Sequence, residues 1–193
     1  MRISGGRARG ITLAVPRGDV VRPATDGMRQ AVFSSLGARV SGARFLDLFA
    51  GSGAYGLEAL SRGAAGGTFV DQSPKAVACV RRNIAAVCKS LGSDPRDLVV
   101  VQADARRVPL TGGPAPDLIF IDPPYEIIPE IAAAVFARLA EALPAAANAV
   151  VVFELPGDME LAPGGWTLFK RLGKGARQPT ACFFRRAMPA GEK

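Results

Sequence analysis

The chain has 193 residues, 49% of them hydrophobic, with three cysteines, no histidine and a formal net charge of +7. That length and composition suit one globular domain with a small extension. No apolar run approaches the ~20 residues that cross a bilayer, and Met1–Arg7 lacks the apolar stretch of a signal peptide, so a cytoplasmic protein with no membrane partner is expected. Without histidine there is no Ser-His triad and no His-based metal site; any catalysis here works without imidazole, and no metal is expected. Cys79, Cys88 and Cys182 form no CxxC pair and read as buried free thiols of a reducing compartment.

The charge is unevenly spread. Residues 1–44 carry eight arginines against Asp19 and Asp26, giving +6; residues 45–169 carry nine basic and fourteen acidic groups, giving −5; residues 170–193 carry seven basic groups against Glu192, giving +6. Two basic ends around an acidic middle suit a polyanionic partner whose phosphates the ends neutralise. A merely solvated basic surface is the plainer alternative.

Residues 2–4 and 11–15 read as two short strands joined through Gly5-Gly6 and Gly10. After a loop between Pro16 and Pro23, Thr25-Asp26 offers a helix N-cap, and Met28, Ala31, Val32, Ser35 and Leu36 recur at helical spacing up to Gly37. From Arg44 short apolar runs at 45–49, 68–70, 98–101, 118–121 and 149–153 alternate with helix candidates at 55–62, 75–90 and 127–143. Strands apolar on both faces are parallel strands covered by helices, so the fold class is α/β, a doubly wound sheet. Two last strands near 166–171 and 181–186, with no helix between them, read as an antiparallel hairpin. The chain divides into a basic extension, 1–43, and an α/β domain, 44–193.

Phe45–Gly56 reads as strand, glycine turn and helix start, with Gly51, Gly53 and Gly56 matching G-x-G-x-x-G. The glycines allow a sharp turn and a close approach to a ligand. Nicotinamide enzymes share the pattern, and the turn also serves simply to pack helix on strand. Asp71 closes the second strand 20 residues after Gly51, where a carboxylate accepts ribose hydroxyls in either cofactor class. Asp47 lies just before the loop. It repels a pyrophosphate but not a methyl donor bearing a sulfonium and an ammonium, which favours S-adenosylmethionine.

Ile121-Asp122-Pro123-Pro124-Tyr125 closes the fourth strand of the α/β unit, at the sheet end where ligands bind. A planar exocyclic amine needs two acceptors for its hydrogens, and the Asp122 carboxylate and the Pro123 carbonyl supply them. Those bonds free the nitrogen lone pair to attack a methyl group in line, with proximity and electrostatics carrying the catalysis. Tyr125 is placed to stack on a target base. The plainer alternative is a Pro-Pro turn with Tyr125 as core filler. Asp104, closing the third strand, is placed either to accept from a cofactor adenine or to cap the segment after it.

Taken together, Phe45–Gly53 with Gly56–Ala64, the opening Arg2-Ile3-Ser4-Gly5-Gly6 and Arg9-Gly10, then Arg22-Pro23, Thr25-Asp26, Arg29 and Phe33, and Asp122-Pro123-Pro124-Tyr125 resemble the RsmD family of bacterial small-subunit ribosomal RNA guanine-N2 methyltransferases, over nearly the whole chain. The resemblance implies a Rossmann-like class I methyltransferase fold, with a seven-stranded, mostly parallel sheet and its last strand antiparallel. It implies S-adenosylmethionine as donor with S-adenosylhomocysteine as product, and ribosomal RNA in an assembled or assembling small subunit as partner, met by a monomer. In that pattern Asp47, Phe49, Gly51, Gly53, Gly56, Asp71 (ribose) and Asp104 (adenine) bind the cofactor. Asp122, Pro123 and Tyr125 act on the amine, and Arg2, Arg7, Arg9, Arg22 and Arg29 dock RNA. Ala24, Gly27 and Asp71 depart from the usual family residues. The Asp-Pro-Pro-Tyr element does not separate guanine N2 from adenine N6, since both are exocyclic amines. A protein amide substrate leaves the basic ends unexplained. A dehydrogenase lacks an evident proton-handling pair, and a purely RNA-binding module leaves Asp122 and the glycine loop unexplained.

Overall fold

The computed structural model describes residues 1–16, 26–110, 114–143, 148–173, 175 and 178–187. Seven strands form one sheet: β1 Arg44–Leu48, β2 Gly66–Asp71, β3 Leu98–Gln102, β4 Leu118–Ile121, β5 Val150–Pro156, β6 Trp166–Leu172 and β7 Pro179–Arg186. Their spatial order is β3-β2-β1-β4-β5-β7-β6. The first five are parallel, and β7 runs antiparallel between β5 and β6. The helices are α1 Asp26–Leu36, α2 Ala54–Ser61, α3 Pro74–Leu91 and α4 Ile128–Ala142.

The sheet is covered on both faces, and the strands show why. Side chains alternate across a pleated strand. In β4, Leu118 and Phe120 join one apolar cluster with α1, α2, α3 and the N-terminal residues Ile3, Ala8 and Leu13, while Ile119 and Ile121 join a second with α4. The same alternation splits Val150 and Val152 of β5 from Val151 and Phe153, and Ala181 and Phe183 of β7 from Cys182 and Phe184. This double coverage is what the uninterrupted apolar runs demand. α3 has a complete set of end signals: the Ser73 hydroxyl accepts from Ala76 N, Pro74 opens the helix, and Gly92 closes it at φ 62°. The three cysteines are free and buried.

One feature differs from the sequence expectation. The N-terminal hairpin shrinks to a single antiparallel bridge, Arg2 with Thr12, flanked by Ile3 N to Ile11 O at 3.0 Å. Its backbone bonds elsewhere: Arg7 N donates to Ser61 O at 2.8 Å and Ala8 N to Ser61 Oγ at 2.9 Å, so the segment wraps the end of α2 instead of extending a ladder. Among the described residues, no helix links β3 to β4, and the sequence offers no helix candidate there. The order of strands reverses between β1 and β4, and the carboxyl ends of these two strands flank the crevice where open α/β sheets bind ligands.

Candidate functional site

The loop after β1 is built under strain. Phe49 has φ 60°, outside the region a side-chain-bearing residue prefers. Gly51 has φ 56°, and a Cβ there meets nothing nearer than Phe49 O at 4.0 Å, so the turn leaves open space above it. Asp71, at the end of β2, fixes the turn: its Oδ2 accepts from Gly51 N at 2.8 Å and its Oδ1 from Ser73 N at 2.9 Å. Asn83 of α3 ties the loop from behind, donating to Ser52 O at 2.8 Å and pairing with Ala14 N and O at 2.9 Å each.

Gly56 serves packing. A Cβ there would lie 2.4 Å from Phe69 Cε1 and 2.5 Å from Phe45 Cε2, two buried rings already in edge-to-face contact. Gly56→Ala is therefore expected to destabilise the protein by about 2 kcal/mol, lowering Tm by about 4–8 °C. Thermal unfolding checks this, and an unchanged Tm contradicts it. Gly53 combines φ 76° with a Cβ contact of 3.2 Å to Phe69 Cε1.

Asp47 is 2% exposed, and its Oδ2 accepts from Gly56 N at 3.0 Å. Burial pushes its carboxyl well above the usual carboxylate range. The Gly56 N–H opposes this, and Asp122 and Asp71 add to it. Its side chain thus acts from beneath the loop, holding α2 against β1, and its power to repel an anion is weaker than the sequence suggests. Asp104 accepts from Arg106 N at 2.9 Å and pairs with the Arg106 guanidinium at 2.8 Å, which holds its carboxyl below the usual range.

Across the crevice stands Asp122, half-buried at the carboxyl end of β4, followed by buried Pro123 and exposed Pro124. The Pro124 carbonyl is taken by Ile127 N at 3.2 Å; among the described residues, no donor reaches the Pro123 carbonyl. Tyr125 opens a 3-10 turn, half-buried, and with Phe49 packs against the α4-side apolar cluster. Two residues enter the site that the sequence did not single out. Glu154 of β5 is 2% exposed and accepts the Tyr55 hydroxyl at 2.9 Å on Oε1. The Glu154 and Asp122 carboxyls lie within hydrogen-bond reach of each other. Burial raises Asp122 to about 7, the hydrogen bond with Glu154 opposing that rise.

Of the arginines expected to meet RNA, Arg2, Arg7 and Arg9 are exposed on the segment that wraps α2. Arg22 lies outside the described residues. Arg29 is a correction: it is fully buried, its Nε pairing with Glu58 Oε2 at 3.3 Å, while its Nη2 bonds Asp26 Oδ1 at 2.8 Å and the Arg2 carbonyl. Glu58, also fully buried, further accepts from Ser4 N and Ser4 Oγ at 2.7 Å and from Arg62 Nε at 2.9 Å. A guanidinium with no exposed surface presents nothing to a phosphate. Arg29 docks the N-terminal segment onto α2.

A family profile described as Conserved hypothetical protein 95 matches residues 1–182. Ribosomal RNA small subunit methyltransferase D of Escherichia coli (strain K12) is 37% identical over 125 residues, a match covering 65% of this chain and 60% of that relative. The solved structure of Escherichia coli yhhF superposes with a TM-score of 0.78 at 29% identity, covering 96% of this chain and 97% of the other. SMU.776, solved with S-adenosylhomocysteine (SAH) bound, matches with a TM-score of 0.59 at 16% identity over 85% of this chain and 50% of the other, a likeness of fold alone. The sheet is that of the class I S-adenosylmethionine-dependent methyltransferases.

Proposed function

Because the chain belongs to the Conserved hypothetical protein 95 (RsmD) family, we propose that it methylates the exocyclic N2 amine of a guanine in small-subunit ribosomal RNA, using S-adenosylmethionine. The observation that carries this reading is the placement of Asp122 at the carboxyl end of β4, beside the strand that leads into the glycine loop.

The residues present fit the donor. Gly51 leaves open space over the turn, and Asp71, Asp104 and Asp122 make the crevice suit a cation rather than a pyrophosphate, while Asp47 braces the loop from beneath. Asp71 retains lone pairs for ribose hydroxyls beyond its two backbone bonds, and Asp104 stands at the end of the neighbouring strand for the adenine. Phe49, Gly51 and Gly53 form the wall of the turn, with Gly56 packed behind it. When bound, S-adenosylmethionine supplies an electrophilic methyl group. The rest is the protein's work: Asp122 and the Pro123 carbonyl accept the two amine hydrogens, Tyr125 stacks on the base, and the amine lone pair turns toward the methyl group. No metal takes part.

Residues 1–43 act as the RNA-docking extension and 44–193 as the catalytic domain. Arg2, Arg7 and Arg9 sit on a segment clamped to α2, so their charges are presented at little entropic cost. Changing all three to Glu is expected to weaken binding to small subunits by at least about 10-fold and to lower the salt slope by about one per lost phosphate contact. Filter binding across a salt series reads both; unchanged affinity places docking elsewhere. The function itself is tested by transfer of labelled methyl groups to small subunits, naked ribosomal RNA and DNA in parallel. Counts in the subunit sample support the reading, and counts in DNA alone overturn it.

A further inference from the structure

Glu154 is a buried acid that the reaction as described does not use. It follows Phe153 on β5, and Phe153 pairs in register with Ile121, the residue before Asp122. Parallel strands in register therefore set Glu154 and Asp122 side by side at the carboxyl end of the sheet. Tyr55 reaches Glu154 from α2 at 2.9 Å, its ring stacked on Phe120 at 5.0 Å between centroids. The other charged groups acting on this cluster are Arg29 from α1, which bears on Glu154 and Tyr55, and Asp47 from β1, which senses Asp122 and Asp71. Two carboxyls within hydrogen-bond reach, one of them almost fully enclosed, do not both ionise; one keeps its proton and donates it to the other.

We propose that Glu154 is a positioning residue for methyl transfer: it stays protonated, receives the Tyr55 hydroxyl on one oxygen and donates its own proton to one oxygen of Asp122, leaving the other Asp122 oxygen for the target amine. This rests on the functional reading above. Burial raises both carboxyls; Glu154 is almost fully enclosed while Asp122 is half-buried and reaches the crevice, so Glu154 keeps the proton and Asp122 is the member that ionises.

The pair also accounts for the proton. As the N–C bond forms and the S–C bond breaks, the S–C electron pair stays on sulfur and the nitrogen sheds one hydrogen as a proton. The Asp122 carboxylate takes it, both carboxyls are then protonated, and loss of one proton to solvent restores the starting state. A carboxylate with a midpoint of about 7 holds that proton far better than an ordinary one.

The test follows the carboxyl carbon of Asp122 by NMR in aspartate-labelled protein, assigned with Asp122→Asn, alongside the pH profile of single-turnover transfer. In the wild type both are expected to show a midpoint of about 7. Glu154→Leu removes the donor to the Asp122 carboxylate, so both midpoints are expected to rise to about 8 or above, and the rate at pH 7 relative to pH 9 to fall from about one-half to about one-tenth. Glu154→Gln keeps a donor for Asp122 and an acceptor for Tyr55, and is expected to restore the wild-type midpoint. A wild-type Asp122 midpoint near 4 overturns the proposal without any variant. So does a Glu154→Leu profile scaled down at every pH with its midpoint unmoved, the pattern of a purely structural role. Carboxyl titrations as expected, with no methyl transfer by the wild type, overturn the functional reading while leaving the shared proton standing.

Discussion

Asp122→Ala is expected to lower the rate constant for methyl transfer by about 10³-fold while leaving the affinity for S-adenosylmethionine within about threefold. The side chain supplies an acceptor for the amine, and its bond strengthens as the nitrogen leaves the plane of the base. That interaction belongs to the transition state, so its loss falls on kcat and not on ground-state binding. Asp122→Asn keeps one acceptor oxygen and is expected to fall between. The same substitution carries an opposite effect on stability. The folded midpoint of Asp122, about 7, lies above its unfolded value of about 4. Folding therefore favours the protonated acid, and stability is full below about pH 4 and declines as pH rises through 7. Above that, the ionised carboxylate costs on the order of a few kcal/mol, which Asp122→Asn removes. An Asp122→Asn protein slowed in transfer yet more heat-stable than the wild type at pH 8, and not at pH 4, is the expected pair of results. Calorimetry at the two pH values and single-turnover transfer check it; unchanged transfer contradicts it.

Glu58→Ala is expected to cost about 3 kcal/mol of folding stability, because it leaves the buried Arg29 guanidinium with only the exposed Asp26 carboxylate as its ion-pair partner. The loss reaches further than one ion pair. Glu58 gathers Ser4, Arg29 and Arg62, each from a different part of the chain, so its removal also loosens the N-terminal segment on α2, which the Ser61 bonds still hold. Arg29→Ala is expected to be about as damaging, and the double variant less damaging than the two effects added, since neither charge is then stranded. Urea unfolding of the four proteins gives the cycle directly. Additive losses contradict an internal pair, and a stable Arg29→Ala protein with weakened RNA affinity returns Arg29 to the surface.

The parts of the molecule readable from sequence are those written locally. β4 and β5 are apolar on both faces, so their runs announce a covered parallel sheet. The capping residues Ser73, Pro74 and Gly92 bracket α3 within one stretch of chain. Asp122-Pro123-Pro124-Tyr125 is contiguous, and a strand leads straight into it. The parts that escaped depend on partners distant in sequence. Arg29 looks like one more cation on a basic extension, and only Glu58, 29 residues on, makes it internal. The signal was present, though faint: Glu58 is the one acid in an otherwise apolar helix, with Arg62 one turn later. Glu154 gave the same kind of signal, a carboxylate at the end of Val150–Phe153, where a strand buried on both faces offers a charge no solvent. Asn83 does likewise on the buried face of α3. An isolated polar residue within an apolar element points to a long-range polar contact but does not name the partner.

The atom that receives the methyl group decides the function. Small subunits from cells lacking this activity would be incubated with the protein and labelled S-adenosylmethionine, and the ribosomal RNA digested to nucleosides and resolved by mass spectrometry. N2-methylguanosine that forms with the wild type and vanishes with Asp122→Ala is the expected result. N6-methyladenosine in its place, or N2-methylguanosine that persists with Asp122→Ala, contradicts the account.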